Sequence, residues 1–147
     1  MKKNIKVLLK VLSFFSIIGC AAFNLDSLIG GSAASRTSGY LFGGFILLWI
    51  VIVILARKDR KTIVFISNIW KIISISSLIL FLSNLKIFSA IWFIPFIALF
   101  NGALYGITYW VDSKLIAAGV HLIIALAFIS ACFIVLKRER SEHYEKK

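Results

Sequence analysis

Five long apolar runs, at residues 7–29, 40–56, 62–82, 87–111 and 115–136, leave this chain few ways to fold. A helix needs about 20 mostly apolar residues to cross a bilayer, so each run has the length of a spanning segment. With 147 residues, 61% of them hydrophobic and only 16% charged, the chain is too short to hide that much apolar surface in a soluble core. The expected fold is therefore all-α: an integral membrane bundle of five hydrophobic helices, four or five of them crossing, in one membrane domain over 1–147 that ends in a basic tail, 137–147. No internal repeat or soluble domain interrupts the pattern.

Basic residues divide the runs. Lys2, Lys3, Lys6 and Lys10 precede the first, Arg57, Lys58, Arg60 and Lys61 separate the second from the third, and Lys137, Arg138, Arg140, Lys146 and Lys147 follow the fifth. Together they hold 13 of the 17 Lys and Arg residues. Such clusters stay on the cytoplasmic side of spans, which predicts a multi-pass protein of the cell (plasma) membrane with both termini in the cytoplasm. The net charge of +11 is explained by these flanks and by anionic lipid, and nucleic acid is not an expected partner. The small, nearly uncharged stretch 30–39 reads as the outward loop.

Three inside addresses and five runs conflict in parity. Between the second and third clusters the chain must cross an even number of times, yet 62–136 contains three apolar runs. Run 62–82 carries Lys71, whose central charge costs about 2.5–3.5 kcal/mol on an insertion scale, and also Asn68 and several serines. Charge counting thus predicts that this run is the one that does not fully cross. On a helical wheel Arg60, Ser67, Lys71 and Ser74 form a narrow stripe, which suits an embedded helix with Lys71 turned toward protein or a water-filled cavity.

The first run permits two readings. Ile17-Ile18-Gly19-Cys20 after a Lys-rich start is similar to a lipoprotein cleavage box, with Cys20 as lipid acceptor, and ordinary signal cleavage near Cys20–Ala22 or Ser32–Ala34 is another outcome. Lys10 shortens the apolar core of such a signal, so an uncleaved first helix is the preferred expectation. Cys20 and Cys132 are the only cysteines, without a CxxC or Cys/His cluster, and no metal or cofactor is expected.

Small residues at four-residue spacing mark packing surfaces. Ser35, Gly39 and Gly43 lead into the second run, and Ala98, Gly102 and Gly106 form a ridge in the fourth. Beside that ridge Asn101, Tyr105, Thr108 and Asp112 share one helical face, which predicts a polar stripe turned toward His121 of the next helix. One reading is a polar, proton-handling cavity with Asp112 as the acidic partner of His121. The plainer one is interhelical glue, with Tyr105, Tyr109 and Trp110 in an aromatic belt at the membrane surface.

Enzymatic signatures are missing. Six acids are present, none central in a run, and there is no G-x-S-x-G, HExxH, Walker loop or dinucleotide fingerprint. The expected function is that of a noncatalytic accessory, assembly or self-protection (immunity-like) protein acting through helix–helix contacts, its partners being the bilayer and another membrane protein or a second copy. The alternative is a small transporter or channel subunit in which Lys71, Asn101 and His121 line a polar path.

Overall fold

The computed structural model describes residues 3–87, 89 and 91–144, and without side-chain detail at Lys3, Ile91 and 139–144. It is all-helical. Four long helices, α1 (Lys3–Gly30), α2 (Arg36–Ala56), α3 (Arg60–Asn84) and α5 (Lys114–Tyr144), are long and apolar enough to cross a membrane. Between α3 and α5 lie a short 3-10 turn (Ile91–Phe93), the nine-residue α4 (Ile94–Gly102) and a second 3-10 turn (Tyr105–Tyr109).

Local chemistry sets the joints. Gly31 ends the first helix at φ 65°, a left-handed conformation that favours glycine, and the Ser32 amide donates back to the Ser27 carbonyl at 3.1 Å. Ser35 caps α2 by accepting from the Ser38 amide, and Asp59 caps α3 by accepting from Thr62. Each supplies an acceptor to amides that the first helical turn leaves without partners.

The parity conflict is resolved by a different run from the one expected. Run 62–82 forms the uninterrupted α3, while run 87–111 is broken. Its nine-residue helix rises about 14 Å, well short of the ~30 Å hydrocarbon core. Pro95, at the start of α4, lacks an amide donor, and Gly102 and Gly106 each weaken a helix by about 1 kcal/mol relative to Ala. Hydropathy summed over the run registers neither effect, since Asn101 and Thr108 are outweighed by the apolar residues on both sides of the break.

With α4 too short to cross, four helices remain that are long and apolar enough to do so, an even number that lets the basic clusters meet at one end. Lys6 of α1 pairs with Asp59 in the α2–α3 connection, and the Lys10 ammonium lies 5.4 Å from the centre of the Phe65 ring. Arg60 and Val64 of α3 line a cleft with Phe133, Leu136 and Lys137 of α5. At the opposite end the α1–α2 connection meets the second 3-10 turn, through Tyr105 and Thr108.

The interior is divided along its length. Toward the basic end Trp49, Trp70 and Phe128 join α2, α3 and α5, with Trp70 stacked on Phe128 at 4.1 Å and meeting Trp49 edge-on at 5.1 Å. Such contacts add about 0.5–1.5 kcal/mol each beyond burial. Toward the other end polar groups are buried among small and aliphatic side chains: Asn24, Ser76, Ser77, Asn101, Thr108 and His121.

Candidate polar site at the interrupted helix

Where α4 stops, the Asn101 and Leu104 carbonyls accept from the Leu104 and Ile107 amides in 3-10 turns, and side chains of the long helices add further donors to the broken backbone. Asn24 of α1 donates through Nδ2 to the Gly102 carbonyl at 2.8 Å, and also to the Cys20 carbonyl of its own helix. His121 of α5 meets the Leu104 carbonyl through Nε2 at 2.9 Å. A carbonyl oxygen only accepts, so Nε2 carries the proton in this contact. Irregular backbone within an apolar bundle is tolerated when it is satisfied in this way.

Asn101, the penultimate residue of α4, is held from α3. Its Oδ1 accepts from the Ser77 hydroxyl at 2.7 Å, and its Nδ2 donates to the Ser76 hydroxyl. The adjacent serines lie on the inward side of α3 and present two hydroxyls to one amide. Farther along, the Tyr105 hydroxyl donates to the Ser32 carbonyl at 2.7 Å, and Thr108 Oγ1 accepts from the Ala34 amide while donating to the Tyr105 carbonyl. Three long helices and the α1–α2 connection thus hold one interrupted segment. Asn24 Oδ1 and His121 Nδ1 are buried there without hydrogen-bond partners.

Glycine contacts explain the close approach. A methyl group at Gly102 would sit 3.2 Å from the Ala21 backbone of α1, and one at Gly106 would collide with the Ser38 carbonyl and the Phe42 side chain of α2. Gly39 lies under Tyr109 and Trp110 in the same manner. These three glycines pack as their spacing suggests, but Gly43 faces open space and contributes no contact. Gly102 and Gly106 do not share a ridge either, because the helix ends between them and turns one toward α1 and the other toward α2.

The expected polar stripe is dispersed by the same break. Asn101 turns to α3, Tyr105 and Thr108 to the α1–α2 connection, and His121 to a backbone carbonyl instead of a side chain. Asp112 is exposed beyond the second 3-10 turn and is not an acidic partner of His121. Tyr105 is buried and does not belong to an aromatic belt, whereas Tyr109 and Trp110 are exposed. Among the described residues no three His, Cys, Asp or Glu side chains converge as metal ligands would.

Lys71 lies elsewhere altogether. The α3 surface that faces the bundle is set by Ile63, Ile66, Trp70 and Ile73, all fully buried, and this orientation turns Lys71 and Asn68 to the outside. Ser67, expected beside Lys71, is buried, so the supposed stripe is split between two faces. The inward arc of α3 is filled by Ile63, Ile66, Ile69, Trp70 and Ile73, and Lys71, one step past Trp70 on the side away from Ile69, falls outside it.

Asn24, Ser76 and Ser77 complete the hydrogen-bonded cluster, and sequence spacing does not single them out. The available signal was an amide inside an otherwise apolar helix and a serine pair at the depth of Asn101. The chain matches no known protein-family model, no curated protein and no solved structure.

Proposed function

We propose that this chain is a noncatalytic accessory protein of the cell membrane, acting in assembly or self-protection through contacts of its helices with another membrane protein. The observation that carries this reading is where the polar side chains go. Asn101, Tyr105, Thr108 and Asn24 are each bound within the bundle, and His121 uses its one ring proton to hold the Leu104 carbonyl. These groups fasten a folded segment instead of forming a line from one end to the other. Lys71, the residue a transport path would need at mid-depth, faces outward, which takes away the main support for a carrier or channel.

In this reading both termini and the α2–α3 connection face the cytoplasm, and 85–87 and 110–113 face outward. Wide apolar surfaces on α1 and α5, including Phe14, Phe15, Phe23, Ile123, Phe133 and Ile134, lie against lipid or a partner. The test is purification of the full chain from its native membrane in mild detergent. A membrane protein recovered in fixed stoichiometry, and lost on mutation of the chain's outer surface, is the expected result. Recovery of the chain alone, together with solute flux into vesicles that contain it, would overturn it.

A further inference from the structure

The outer face of α3 carries a charge at a depth where lipid offers it nothing. Val64, Asn68, Lys71, Ile75 and Leu78 are all exposed, and their spacing alternates four and three residues, the repeat of a seam against a second helix. Lys71 lies eleven residues into α3 from Arg60, about 17 Å along its axis, and thirteen residues before Asn84, about 20 Å. That places it near the centre of a ~30 Å core, beyond the reach of its four-carbon stem to polar surface at either end. Among the described residues no carboxylate or other acceptor touches it, although charges at this depth are normally paired.

We propose that this face is a docking surface for a transmembrane helix of another protein, one that bears a carboxylate at mid-depth opposite Lys71. The inference rests on the accessory reading above and names the chemistry of the partner. A second copy cannot supply the acid. The chain has six acidic residues: Asp59 and Asp112 lie in connections, Glu139, Glu142 and Glu145 follow the apolar part of α5, and Asp26 is only four residues from the end of α1. None reaches the level of Lys71 in either a parallel or an inverted pair. Asn68, one turn nearer the basic end, adds a hydrogen-bonding group that fixes the register, and Val64, Ile75 and Leu78 supply the apolar flanks.

The experiment uses the full chain in phosphatidylcholine vesicles with a synthetic transmembrane peptide of Leu and Ala that carries one central Glu, and a matched peptide with Gln. Association is read by energy transfer at pH 7. The Glu peptide is expected to associate about 3- to 20-fold more tightly than the Gln peptide, and Lys71→Leu to remove that difference while helical content stays unchanged. Ile75→Trp should weaken both peptides, and Leu126→Trp, on the exposed side of α5, should weaken neither. Equal binding of the two peptides, or a preference that survives Lys71→Leu, overturns the proposal. Loss of the preference when phosphatidylglycerol replaces part of the lipid also overturns it, since lipid phosphate is then the counterion. A native partner that still co-purifies with the Lys71→Leu chain would defeat this docking face and leave the accessory reading standing. A clear Glu preference without any native partner would do the reverse.

Discussion

His121 on α5 reaches 17 residues back along the chain to hold the Leu104 carbonyl at 2.9 Å, and this bond closes the interrupted segment onto the last helix. Its energetic weight follows from burial. With the imidazole removed, the carbonyl keeps the Ile107 amide at 3.1 Å but loses its second donor at a site from which water is shut out, His121 being 1% exposed. His121→Leu should lower stability by about 1–2 kcal/mol, whereas His121→Gln, which keeps an N–H donor, should recover part of the loss. Thermal unfolding of the detergent-solubilised variants, followed by circular dichroism, measures both. Equal effects of the two substitutions would mean that shape, and not the hydrogen bond, sets the cost.

The glycines separate real contacts from coincidental spacing. Gly106→Ala pushes a methyl group into the Ser38 carbonyl, a backbone atom that cannot rotate aside, so a loss of about 1–3 kcal/mol is expected. Gly43→Ala meets open space in the middle of α2 and should leave stability unchanged or raise it by up to about 1 kcal/mol, the gain in helix propensity. The same unfolding assay distinguishes them. Two substitutions of one kind with opposite signs would show that the four-residue repeat itself carries no information about packing.

The sequence made the class of fold legible because length and apolar content are properties of whole segments: α1, α2 and α3 follow the apolar runs to within about four residues, and α5 starts with the fifth run but continues as helix eight residues into the expected tail, to Tyr144. The shared location of the basic clusters was legible for the same reason, since loop charges are read without knowing which face a helix presents. What could not be read was rotation. Whether Lys71 faces inward or outward depends on Trp70 winning the interior, and that is a competition between side-chain volumes in three dimensions. The break in run 87–111 was hidden similarly: Gly102 and Pro95 permit it, but donors from Asn24 and His121, distant in sequence, make it affordable.

Asp59 gives the basic end a titration signature. Hydrogen bonds from the Lys6 ammonium and the Thr62 hydroxyl, with help from the Thr62 amide, hold its carboxyl well below the usual range, to about 2, against the opposing effect of burial. A carboxylate with a depressed folded pKa favours the fold at every pH above its unfolded value, near 3.8, and loses that advantage as pH falls toward the folded one. The melting temperature should therefore drop between about pH 4 and pH 2. Asp59→Asn retains a good helix cap and should lie below the wild type at pH 7 but show a shallower decline in that window. Parallel acid limbs would assign the decline to other groups.

Topology offers the most direct check on the broken segment. If 91–109 enters and leaves by one surface, Lys86 and Ser113 share a side of the membrane, although run 87–111 separates them and a continuous helix there would place them on opposite sides. Single cysteines at these positions, in a chain whose Cys20 and Cys132 are replaced by Ala, should both react with an impermeant maleimide added to intact cells. Cysteines at Lys58 and Arg138 should react only after permeabilisation. Labelling of position 86 but not 113 from outside would mean that the fourth run crosses after all, and would place the C-terminal basic cluster on the outer surface, against the charge rule that groups it with the other two.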